Sequence, residues 1–162
     1  MLDDDRFSYQ IRSIKERNYT NERSASFLNE ERVCNDAEDP DEGIDYIFML
    51  DPGEWEILAD EWKDRSIAWR CAVTYFAGFL RLPVNKEFLM KAINDEAISV
   101  YEQGLLSLHQ TLIEEWEETG NISIVLSEQE KKTVLEKLET TSDRFEEFPE
   151  YNELANLLKM NR

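Results

Sequence analysis

A heptad-spaced aromatic series constrains this chain more than any other feature. Between Asp51 and Leu82, Trp55, Trp62, Trp69 and Phe76 recur seven residues apart. Leu58, Ala72 and Phe79 stand three places after members of the series, and Ala59, Val73 and Leu80 four places after. Positions i, i+3, i+4 and i+7 share one face of a helix, so the spacing predicts an amphipathic helix over 51–82. Asp51-Pro52 supplies an N-cap and a first-turn proline. At the far end Pro83 disfavours helical geometry in Leu82 and ends the helix. From Ile67 to Leu80 only Arg70 is charged, so this half is apolar nearly all round and is expected to be enclosed. It is too short to span a bilayer, which suits a buried core helix. Arg70 is expected to snorkel or to pair with an acid of a neighbouring helix.

The remaining segments are expected to fold around that helix. Phe7, Ile11 and Ile14 fall at helical intervals after Asp3 to Asp5, and a second helix is expected over 21–33 with Phe27 and Leu28 inward. Residues 35–43 form a loop by composition. Residues 44–50 are a short apolar run that periodicity reads equally as a strand or a helical turn. Asn85 is placed to cap a helix through Ile93, and Asn94 or Asp95 to cap or interrupt a longer helix to Thr119. The inward set of that longer helix is Ala97, Val100, Tyr101, Leu105, Leu108, Leu112 and Trp116, and Gly120-Asn121 supplies a left-handed stop. Ile122 to Leu126 has β-branched character. Ser127 with Glu130 is a capping box, opening a helix with Val134, Leu138, Phe145 and Phe148 inward. Pro149 breaks it, and a last helix runs to Met160 through Leu154, Leu157 and Leu158.

With 162 residues the chain is long enough to bury roughly 70% of its unfolded surface in one domain. Only five glycines and four prolines favour helices over a turn-rich β architecture. The expected fold is all-α: a single compact helical domain of about six helices around the central helix 51–82. A minor two-stranded element pairing 44–50 with 122–126 is the one admitted exception. The amino terminus is acidic where a signal peptide would be basic and then apolar. Two cysteines, Cys34 and Cys71, make no disulfide framework, so free thiols in a reducing cytoplasm are expected.

Charge carries the functional reading. The formal net charge is −18, which repels nucleic acid and anionic lipid and attracts basic proteins. It is unevenly placed: residues 36–62 hold eleven acids and no Lys or Arg, and residues 92–130 hold nine acids and again no base. A helix surface built for solubility usually mixes signs, because i,i+4 pairs of opposite charge stabilise and like pairs destabilise. Glu114, Glu115, Glu117 and Glu118 lie near a helix C-terminus, where the macrodipole disfavours negative charge. Two readings follow, a solvated face or a surface for a basic partner. Trp116, with two glutamates on either side, is either the last inward residue of its helix or an interface anchor.

Recognised chemistry is missing from the sequence. One histidine, His109, excludes multi-histidine metal sites, and it lacks the Glu three places earlier that a di-iron pattern needs. Residues 39–50 fail as a calcium loop, because Ile44 replaces the required glycine and Leu50 the bidentate glutamate. There is no Gly-rich phosphate loop, no Gly-x-Ser-x-Gly elbow and no Cys-x-x-Cys. No catalytic residue, metal or cofactor is therefore expected. The leading expectation is a non-enzymatic, cytoplasmic inhibitor of a basic protein, similar in charge and size to immunity proteins and antitoxins that neutralise a toxin such as a nuclease. Its partner-binding residues would be Asp36, Glu38, Asp39, Asp41, Glu42 and Asp45 in the first tract. In the second they would be Glu114, Glu115, Trp116, Glu117 and Glu118. Alternatives are a nucleic-acid mimic that occupies a DNA-binding protein, a helical chaperone or adaptor binding an apolar segment, and an unrecognised carboxylate hydrolase.

Overall fold

The computed structural model of the chain describes residues 52–80, 85–121, 126–141, 143 and 147–160. These residues form α1 (Pro52–Asp60), a 3-10 turn (Trp62–Asp64), α2 (Ile67–Ala77), α3 (Lys86–Ile93), α4 (Ile98–Thr119), α5 (Glu128–Thr140) and α6 (Pro149–Met160). No strand occurs among the described residues, and the fold class is all-α. The helices expected before residue 34 and the run 44–50 lie outside the described residues, as does 122–125; Leu126 alone of that apolar run is described, and it is buried. Internal contacts separate the chain into two compact units, Met1–Phe76 and Ala77–Arg162.

In the first unit every member of the aromatic series is buried: Trp55, Trp62, Trp69 and Phe76, with Leu58, Ala72 and Val73 beside them in the pattern. The helix carrying them is not continuous, however. The expected helix 51–82 is two helices, α1 and α2, joined by the 3-10 turn at Trp62–Asp64. Ser66 causes the restart: its Oγ accepts the Trp69 N–H at 3.1 Å, satisfying a donor that has no partner inside α2. Arg65 spans the break, donating to Glu61 at 3.0 Å and lying 5.3 Å from the centre of the Trp69 ring. Trp62 and Trp69 meet edge to face with centroids 6.4 Å apart, so the aromatic contact survives the interruption. Pro52 is the first residue of α1, as its fixed φ suits. Arg70 is half-buried, and Ile67 at the start of α2 is 49% exposed, so α2 is less fully enclosed than its composition suggests.

The second unit is organised around α4. Its 22 residues extend about 33 Å, the longest helix among the described residues. α3 and α6 pack on α4, and α5 packs on both α6 and α3, so the four helices close a cycle of contacts. Val100, Leu105, Leu108 and Leu112 of α4 are buried as the spacing predicts. Leu89 and Ile93 of α3, Val134 and Leu138 of α5, and Leu154 and Leu158 of α6 are buried with them. Phe145 lies outside the described residues, and α5 ends at Thr140, short of the half-buried Phe148. Pro149 opens α6 as its first residue, where its missing N–H costs nothing.

Small residues let these helices approach closely. Gly104, Ser107 and Thr111 of α4 are buried. A Cβ on Gly104 would stand 3.0 Å from both the Cγ1 and the backbone N of Ile93, and 3.1 Å from the Ala92 Cβ. Helix propensity favours Gly104→Ala by about 1 kcal/mol, whereas forcing a methyl against a neighbouring backbone costs about 1–3 kcal/mol. Packing is expected to win, and the variant should lose about 1 kcal/mol in urea unfolding. A raised midpoint would show that α3 yields easily.

Asn85 departs from its expected role, whereas Asn94 and Asp95 interrupt the chain between α3 and α4 as expected. Asn85 precedes α3 but has helical backbone angles and makes no side-chain cap there. Its Nδ2 instead donates to the carbonyls of Ala77 (2.7 Å) and Leu80 (2.8 Å), and to Thr111 Oγ1 at 3.3 Å. Within the second unit it thus serves the carbonyls of Ala77 and Leu80 rather than the amino end of α3, and links them to Thr111 of α4. Asn94 follows α3, and its Nδ2 donates to the Met90 carbonyl at 2.9 Å. Asp95 then accepts the Ala97 N–H at 2.9 Å, and this turn separates α3 from α4.

Candidate functional site

The base-free tract 92–130 falls wholly within the second unit, and the structure gives its acids different roles. Asp95 is buried in the turn before α4. Glu102 is also buried, and Oε2 accepts the Tyr151 hydroxyl at 3.1 Å, joining α4 to α6. Glu128 pairs with the buried Lys131 at 3.2 Å. Glu130 completes the predicted capping box: its backbone N–H donates to Ser127 Oγ at 3.1 Å, and its carboxylate accepts the Ser127 N–H at 3.2 Å. Lys86 at the start of α3 adds a further donor to that carboxylate at 3.3 Å. The tract is therefore not one uniform acidic face.

Burial pushes the Glu130 carboxyl up, but the Ser127 hydroxyl and N–H and the Lys86 ammonium outweigh it and hold the group below the usual carboxylate range. A carboxyl lowered by folding stabilises the protein above its unfolded pKa, and that contribution disappears as pH falls through the folded value. Glu130→Gln should consequently be less stable than the parent at pH 7. The gap should close as pH drops below about 4, near the free glutamate value. Thermal unfolding of both proteins across that range checks it; a gap independent of pH would remove the ionic contribution.

The remaining concentration of acid is at the carboxyl end of α4. Ser107, Leu108 and Thr111 are buried, and seven places after each of them stand Glu114, Glu115 and Glu118. Seven residues are two turns, so the face that is inward in the middle of α4 becomes glutamate at its end. Glu114 and Glu115 are half-buried, and Glu117 and Glu118 are exposed. Trp116, four places after the fully buried Leu112, is half-buried. It continues the apolar spacing while keeping part of its indole at the surface. The last turn holds no basic residue. Gly120 ends the helix in the left-handed region (φ 68°, ψ 12°), its N–H bonding the Trp116 carbonyl at 2.8 Å. Thr119 reinforces the stop, donating to the Glu115 carbonyl at 2.9 Å and accepting the Asn121 N–H at 3.2 Å.

The six candidate acids of the first tract, Asp36, Glu38, Asp39, Asp41, Glu42 and Asp45, lie outside the described residues. His109 projects from α4, and its Nε2 lies 2.9 Å from Glu153 Oε2 of α6, a contact between two packed helices. Among the described residues no three His, Cys, Asp or Glu side chains converge to hold a metal ion. No helix among them is long and apolar enough to cross a membrane.

Sequence reasoning overlooked the polar groups that pack rather than face water: Asn85, Glu102, Ser107, Thr111 and Lys131. A signal existed for two of these, since Ser107 and Thr111 recur with Gly104 at three- and four-residue spacing and mark a close helix contact. Nothing local marked Glu102, whose burial depends on Tyr151.

No protein-family model, no curated protein and no solved structure matches this chain.

Proposed function

We propose that this protein is an acidic binding protein of the cytoplasm that neutralises a basic partner, acting as an immunity- or antitoxin-type inhibitor of a toxin such as a nuclease. The observation that carries the reading is the replacement of α4's inward face by Glu114, Glu115 and Glu118, with Glu117 and Trp116 alongside. Four carboxylates within two turns repel each other and oppose the helix dipole, a local cost that a cationic partner would turn into attraction. A half-buried indole among them offers apolar area of the kind that anchors interfaces. The acids would cover a cationic cleft and speed association, and the interaction would weaken with salt.

Affinity capture from the native cell's extract, at low and at high salt, tests the reading. A basic protein retained at low salt and released at high salt is the expected result. Retention unaffected by salt would overturn it in favour of apolar recognition, and capture of no partner would leave the cluster as solvated surface.

A further inference from the structure

We draw no further inference here: the strongest candidate, the shallow groove along one flank of α5 floored by Leu158 of α6 and edged by Lys131, Lys132 and Glu136, carries charges of both signs, and nothing in the structure shows what covers it.

Discussion

Replacing Glu114, Glu115, Glu117 and Glu118 together by lysine should slow association with the captured basic partner about 10- to 1,000-fold at low salt. The same variant should remain folded. Each lysine near the carboxyl end of α4 exchanges an unfavourable interaction with the helix dipole for a favourable one, worth about 0.3–1 kcal/mol at low ionic strength. A slowed association with folding retained is an outcome that general damage to the protein would not mimic. Stopped-flow association and thermal unfolding read the two effects separately. The rate difference should shrink as salt rises, because exposed charges are screened beyond about 10 Å at 0.1 M. An on-rate unchanged at low salt would exclude this end of α4 from the interface.

Trp69→Ala should cost about 3–5 kcal/mol of folding stability, a large part of the 5–15 kcal/mol typical of a native protein. Trp69 is fully buried, stacks edge to face with Trp62, and carries the Arg65 guanidinium over its ring. Removing it leaves a cavity and frees the residues that hold the break between α1 and α2. Trp116→Ala, at a half-buried position beyond the last buried leucine of α4, provides the contrast and should cost much less. Urea unfolding of the two variants separates a core tryptophan from a surface one. Equal losses would mean that Trp116 is as integral to packing as Trp69.

The aromatic series was legible because burial imposes helical periodicity directly on residue type. Its interruption was not, because Trp62 and Trp69 keep their seven-residue spacing across the break. Ser66 was the available clue: a hydroxyl just ahead of an apolar run is an N-cap in its own right. Gly120 and the Ser127–Glu130 box were legible for a different reason, since their bonds close within a few residues. Asn85 misled because its amide serves carbonyls of the preceding helix end, Ala77 and Leu80, and the hydroxyl of Thr111, a distant residue. Counting charges found the acidic tract but could not sort it. Whether a carboxylate caps, is buried or faces outward depends on tertiary neighbours such as Tyr151 and Lys86, which spacing does not encode.

Full burial in α4 stops at Leu112, while the helix continues through Thr119. Its last two turns run from half-buried to exposed, and the Gly120 and Thr119 bonds close them. Amides there are expected to exchange faster than those between Val100 and Leu112, whose opening requires the packed helices to part. Part of any binding free energy at this end would go into keeping those turns helical. On the proposed reading, such a segment would favour a rigid, strongly cationic surface over a weak one, and that threshold would itself discriminate between partners.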